Sequence, residues 1–225
     1  MFTEYHCHVL PGIDDGSENA ETSLAMLDIM KEQGVERVIF TPHFYCHKEK
    51  SIDHFIKKRQ AAFESVKEKS PIKEMLLGAE VALELGLSEV KDIEKLAIQG
   101  TKLILIEMPF RDYENWMLEE VYNISAEFDL KVILAHVHRY RSVYDKDIMK
   151  RMLCSDNILQ INIEAFEGFR QKFIAKDIIN SNRQFVFGSD AHNLSSRKPR
   201  WDLLKKKVSA EVIEASNKIF DKYSL

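Results

Sequence analysis

Cysteine is scarce in this chain, with three residues, Cys7, Cys46 and Cys154, among 225. Three do not make a disulfide framework. Six positions beyond them stand Ile13, Ile52 and Gln160, so the Cys-x5-Arg arrangement of a cysteine phosphatase is missing. The Gly-x-Ser-x-Gly elbow and the Walker A loop are missing as well. Eight glycines and five prolines leave no linker rich in either, and no low-complexity segment or fixed-period repeat is found. No run is long and apolar enough to span a bilayer. Basic residues do not outnumber acidic ones: 32 against 36, a formal net charge of −4. No overall field therefore favours nucleic acid or an anionic membrane. Apolar content of 45% and charged content of 30% read as one globular, soluble unit over residues 1–225. That length suits one large core, as in many α/β barrels.

Against these absences, seven clusters of metal-ligating side chains stand out, each at the end of a short apolar run. The first is Glu4-Tyr5-His6-Cys7-His8, followed by Asp14-Asp15-Gly16. Then come Thr41-Pro42-His43, Gly78-Ala79-Glu80, Ile106-Glu107, Ala135-His136 and Gly188-Ser189-Asp190-Ala191-His192. Imidazole and carboxylate ligands suit Zn, Mn and Fe, and sites with several of them usually do hydrolytic chemistry. Drawn from nearly the whole chain, the clusters point to a multinuclear site. The first begins so near residue 1 that no signal peptide is expected, and a cytoplasmic protein is the simplest reading.

Seven β-type runs are expected: Glu4–Leu10, Arg37–Thr41, Leu76–Leu83, Lys102–Glu107, Lys131–His136, Ile158–Ile163 and Gln184–Gly188. Most are apolar on both parities, as strands covered on both faces are. Helical periodicity marks Ala20–Gln33, which stops at Gly34, and Ile52–Lys69, Asn115–Phe128, Asp147–Cys154 and Phe169–Ser181. A shorter helix is expected after Ser88, as its cap. Alternation of β and α implies a parallel sheet. His43, Glu107, His136 and Asp190 fall at the C-terminal ends of their strands, where α/β barrels carry their sites. Convergence from several strands favours a closed barrel over an open doubly wound sheet.

The ordered set His6-Cys7-His8, Leu10-Pro11-Gly12-Ile13-Asp14-Asp15-Gly16, Thr41-Pro42-His43, Gly78-Ala79-Glu80-Val81, Ile106-Glu107-Met108-Pro109, Ala135-His136-x-x-Arg139-Tyr140, Gln160-Ile161-Asn162 and Ser189-Asp190-Ala191-His192-Asn193 resembles the PHP (polymerase and histidinol phosphatase) superfamily. Within it, the set is similar to the bacterial manganese-dependent protein-tyrosine phosphatases of capsule and exopolysaccharide operons, the CpsB/YwqE type. The likeness runs from His6 to about Arg200. It implies a distorted (β/α)7 TIM-like barrel, the PHP fold, with up to three divalent ions, Mn2+ first and Fe, Zn, Co or Mg as alternatives. His6, His8, Glu80 and Asp190 would surround one ion. Glu80 would bridge to a second, also held by Glu107 and His136. Asp15, His43 and His192 would hold the third. Arg139 and Arg197 match phosphate-binding arginines, and Asp190 or His192 could assist proton movement. A tyrosine-phosphorylated protein, such as the tail of a bacterial tyrosine kinase, is the implied partner. The set departs from the pattern at Phe44, Val137, His138 and Ile163-Glu164-Ala165, which bears on selectivity and the polarity of the pocket edge.

Plainer readings exist for several of these residues. Asp14 could form a turn with Gly16, and Asn193 could cap the turn after it. Arg197 and Arg200 stand in a basic loop that could be a solvated face. His47 and His54 flank charges and are expected to be exposed. Phe44, Tyr45, Phe110, Tyr113 and Trp116 could rim a pocket or simply pack. Two other functions compete: another phosphoesterase of the superfamily, such as a histidinol phosphatase, and a non-catalytic phosphotyrosine-binding domain. The filled ligand positions speak against the last.

Overall fold

The computed structural model describes residues 1–225. Nine strands are formed: β1 (Phe2–Cys7), β2 (Val35–Phe40), β3 (His43–Phe44), β4 (Glu74–Leu77), β5 (Glu80–Ala82), β6 (Leu103–Glu107), β7 (Lys131–Leu134), β8 (Ile158–Asn162) and β9 (Phe185–Gly188). Every pairing between them is parallel. They make two sheets, β1-β2-β4 and β3-β5-β6-β7-β8-β9.

The sheets meet at both margins. Beyond β9, the Asp190 N–H donates to the His6 carbonyl at 2.7 Å and the His8 N–H to the Ala191 carbonyl at 2.9 Å, with a parallel bridge between Cys7 and Ala191. At the other margin the Gly78 N–H donates to the Phe40 carbonyl at 2.9 Å and the Glu80 N–H to the Pro42 carbonyl at 3.0 Å. The strands thus follow one another round a distorted ring. The third expected run, Leu76–Leu83, is the main departure. It is split at Gly78-Ala79 into β4, paired with β2, and β5, paired with β3.

Five helices lie where periodicity expects them: α1 (Ala20–Glu32), α2 (Ile52–Lys67), α3 (Trp116–Phe128), α4 (Lys146–Cys154) and α5 (Phe169–Asn180). Side-chain caps start three of them. Asn19 accepts from the Thr22 N–H, Ser51 from the His54 N–H, and Asp145 from the Asp147 and Ile148 N–H groups, satisfying amides that have no intrahelical partner. The helix expected after Ser88 is instead two 3-10 turns, Leu87–Glu89 and Ile93–Leu96. Ser88 is no cap: its own N–H donates to Glu120 Oε2 at 2.9 Å. Two further helices, α6 (Trp201–Lys207) and α7 (Ala210–Lys222), lie outside the segments that periodicity marks.

The apolar interior has two parts. A cluster of 49 buried residues spreads between strands and helices. A separate cluster of ten takes Tyr5, Ile39, Leu105, Ile133, Ile158 and Val186 from strands all round the ring, so it plugs the inside. Helix α7 adds Ile219 to it. Tyr5 fixes that helix by donating to the Ser216 carbonyl at 3.1 Å and accepting from the Phe220 N–H at 2.8 Å.

Candidate metal centre

The expected ligands converge at the C-terminal end of the ring, with Glu80 at the hub. His6 Nε2 and His8 Nε2 lie 3.2 and 3.1 Å from Glu80 Oε2, His43 Nδ1 3.0 Å from the same oxygen, and His136 Nε2 3.0 Å from Oε1. Four imidazoles thus meet one carboxylate that is 1% exposed. His136 also reaches Glu107 at 3.3 Å. Asp190 Oδ1 stands 3.6 Å from His6 and 3.5 Å from His8, and Asp15 Oδ1 lies 3.5 Å from both His43 and His192.

Three groups have ligand atoms close enough to share an ion: His6, His8 and Asp190; His43, Glu80 and Glu107; and His8, Asp15, His43 and His192. The grouping differs from the expected partition: His8 and His43 each stand in two groups, Glu80 stands in one rather than two, and His136 stands in none.

Both arginines arrive beside these ligands. Arg139 Nη1 and Arg197 Nη2 each lie 2.7 Å from an oxygen of Asp190, and both line a cavity of about 220 Å³ with Glu164, Ser189 and Asp190. Arg200 lines it too, but its guanidinium is engaged by Glu167.

The surrounding polar residues hold the ligands in orientation. Asp14 is more than a turn residue: it accepts from the Gly16 N–H and the His43 N–H, and lies 2.7 Å from His8 Nδ1. Gln160 Oε1 contacts His6 Nδ1 at 3.1 Å and accepts from the His136 N–H, while Asn162 donates to Asp190 at 3.0 Å. Fixing the far nitrogen of an imidazole sets its tautomer and aim. Glu164 pairs with Arg139, and Glu4, fully buried, accepts from the His6 and Ser189 N–H groups and from Trp201 Nε1. The sequence places Glu4 in the first cluster and Gln160, Asn162 and Glu164 in segments compared with the family, with no individual role for any of them. The available signal was polarity: Gln160 and Asn162 alternate on an otherwise apolar strand, and Glu4 shares the parity of His6 and His8.

Close backbone approach makes room for this density of side chains. A Cβ on Gly16 would stand 2.1 Å from the His8 carbonyl oxygen, and one on Gly188 would stand 2.6 Å from His6 Cβ. Two of the expected ligands hold left-handed backbone, His136 at φ 29° and Asp190 at φ 52°, a conformation that costs energy outside glycine and often marks functional sites.

The remaining candidates divide clearly. Asn193 accepts from the Ser195 and Arg197 N–H groups and so shapes its turn. The His47 and His54 side chains are 61% and 42% exposed. Phe44 is buried against Phe55, and Tyr113 and Trp116 pack on the core. Tyr45 and Phe110 instead rim the site, with ring centroids 5.3 Å from His43 and 5.8 Å from His136. Cys7 is turned away, its Sγ 3.5 Å from the Ile39 carbonyl, and burial pushes its thiol well up.

The electrostatics call for positive charge. Burial disfavours a charged His8, yet Asp14 and Glu80 outweigh it and push the imidazole up to about 10. Burial likewise opposes ionisation of Asp190, but His6, His8 and Arg139 hold it well below the usual carboxylate range. Protons or metal ions can meet that demand. Two details fit metal: His6 Nε2 and His8 Nε2 face each other at 3.1 Å, and buried His192 Nε2 has no hydrogen-bond partner. Mixed imidazole and carboxylate donors suit first-row divalent ions.

Fold and site together define a parallel α/β protein with a clustered imidazole–carboxylate centre at the strand ends. Residues 2–221 match the family model described as capsular polysaccharide synthesis, CpsB/CapC, and the chain belongs to that family. It is 28% identical over 206 residues to tyrosine-protein phosphatase YwqE of Bacillus subtilis, covering 86% of this chain and 78% of that protein. It is 26% identical over 227 residues to tyrosine-protein phosphatase CpsB of Streptococcus pneumoniae, covering 92% and 91%. Its fold superposes on a crystal structure from work on those two proteins, described as metal-dependent tyrosine phosphatases. The TM-score is 0.76 at 22% identity, over 96% of this chain and 91% of that one.

Proposed function

We propose that this chain is one catalytic domain over residues 1–225 that hydrolyses phosphotyrosine in proteins with Mn2+ or a related divalent ion. The observation that carries the reading is the single buried Glu80 contacted by four imidazoles, with two arginines converging on the adjacent Asp190. The names of its relatives and the family description support it. His6, His8, Asp15, His43, Glu80, Glu107, His136, Asp190 and His192 would hold the ions. Bound there, divalent ions supply an activated water near neutral pH and offset charge on the phosphoryl group.

The chain's own residues supply the rest. Asp190 anchors one guanidinium nitrogen of each arginine and Glu164 holds the other terminal nitrogen of Arg139; the donor hydrogens these carboxylates leave unused on Arg139 and Arg197 would serve the non-bridging phosphoryl oxygens. Tyr45 and Phe110 at the rim offer ring surface to a phenolic substrate. Tyrosinate leaves at a pKa of about 10, so a strong general acid is not required. Burial and neighbouring His8 bring His192 down to about 4, which leaves the imidazole neutral, the form that binds metal. The partner we infer is a tyrosine-phosphorylated protein of capsule assembly, such as a tyrosine kinase tail, met in the cytoplasm. No helix is long and apolar enough to cross a membrane.

The test compares Mn2+-loaded protein on a phosphotyrosine peptide and on histidinol phosphate, before and after chelation. Metal-dependent turnover preferring the peptide is expected. Preference for histidinol phosphate, or full activity in verified metal-free protein, refutes the proposal.

A further inference from the structure

Arg139 also lines a second, larger groove of about 820 Å³, together with Phe110, His138, Arg141, Arg170 and Phe173. No acidic side chain lines it. The arginines of the 220 Å³ cavity are bound by Asp190 and Glu167. Arg141 and Arg170 are exposed instead, and neither forms an ion pair; Arg141 donates only to the Tyr144 carbonyl, at 3.4 Å. Phe110 and Phe173 are 48% and 57% exposed. His138 is buried to 1%; neither ring nitrogen has a hydrogen-bond partner, and Nε2 lies 3.7 Å from Glu164, the carboxylate that also pairs with Arg139. In a chain of net charge −4, unpaired guanidinium groups beside bare aromatic rings form a local patch of opposite sign.

Resting on the phosphatase reading, we propose that this groove binds an acidic stretch of the substrate polypeptide, Asp or Glu residues flanking the phosphotyrosine. Charge complementarity selects that occupant. The guanidinium forks of Arg141 and Arg170 match carboxylates, and the two phenylalanines cover the intervening backbone and apolar stems. Arg139 joins the two cavities, so a chain with its phosphate at Arg139 enters the groove within a few residues, at about 3.3 Å per extended residue.

The experiment uses three phosphotyrosine peptides, identical except for Asp/Glu, Ser/Gly or Lys flanks, with the Mn2+-loaded protein at low salt. Wild type is expected to favour the acidic over the neutral peptide by about threefold to tenfold in kcat/KM, carried by KM, as two partly exposed ion pairs allow. The preference should shrink at high salt. In R141E/R170E the ratio should invert toward the Lys peptide; the ratio within one variant cancels any general loss of activity. R141A and R170A, each reducing the ratio, serve if the double variant does not fold. Equal wild-type efficiency on all three peptides overturns the groove while leaving phosphotyrosine hydrolysis standing; no metal-dependent turnover of any of them sinks the phosphatase reading itself. Inhibition of peptide turnover by a single-stranded oligonucleotide, without an acidic-peptide preference, would also overturn the proposal.

Discussion

The two ends of the ring interior are built from the same strands and do opposite things. On β6, Leu105 belongs to the apolar plug and Glu107 to the candidate metal centre. On β8, Ile158 belongs to the plug and Gln160 holds His6; on β9 and just beyond it, Val186 and Asp190 divide the same way. A step of two residues keeps a side chain on the same strand face, so β6 and β8 turn from packing to chemistry within one step and β9 within two. Buried carboxylates and imidazoles are costly unless partnered, and their partners must arrive at fixed spacing. The plug supplies that spacing, because a close-packed interior resists displacement.

The sharpest way to break the comparison is at the hub. Glu80→Gln keeps shape but removes charge, and should abolish turnover of a phosphotyrosine peptide together with most bound metal. Elemental analysis beside kinetics checks both, and a variant with full metal content and turnover would remove Glu80 from the centre. Next come Arg139→Ala and Arg197→Ala. Each should retain metal and lose about tenfold to a thousandfold in kcat/KM, as when one preorganised donor is lost. Wild-type efficiency in both would end their role at the phosphate.

The plug should respond in another currency. Ile133→Ala should cost about 2–5 kcal/mol of stability, read by denaturant unfolding, while turnover of the folded protein changes only a few-fold. If turnover instead falls as far as in the arginine variants, the two ends are not separable. The smallest effects belong outside both regions. Arg200→Ala breaks an exposed pair with Glu167 and should change kcat/KM by no more than about threefold. Replacing Cys7 with Ala and Cys46 and Cys154 with Ser should do little more to turnover, and trapping a phosphocysteine would overturn the metal scheme.

Much of this was legible in the residues. Candidate ligands at strand ends follow from apolar runs that stop at His, Glu or Asp, and the expectation of a ring follows from their convergence from several strands. The break at Gly78-Ala79 was not legible, because Leu76 to Leu83 reads as one apolar run; the offset comes from β5 pairing with β3, whose two residues are too short to show a period. Helix α7 escaped because its buried face includes Ser216 and Asn217, polar residues satisfied by β1 and β9: the Thr3 N–H donates to Asn217 and the Phe187 N–H to Ser216. Glu4 was hidden for a similar reason, since its partners lie 185 and 197 residues away.

Those separations govern when the centre comes into being. Strand β1 and the residue just after it carry two of the candidate ligands, yet the neighbour of β1 on one side is the chain around Asp190, and its buried Glu4 is fully satisfied only when Trp201 arrives. During synthesis from the N-terminus, the first ligands made must wait for nearly the last residues. Until then Glu4 lacks two of its three donors and the ring stays open between β1 and β9. Such distant closures are slow to form because the intervening chain must first be ordered. Assembly of the centre is therefore expected late in folding, and a chain released before residue 201 would carry every candidate ligand and still lack the Trp201 contact that satisfies Glu4.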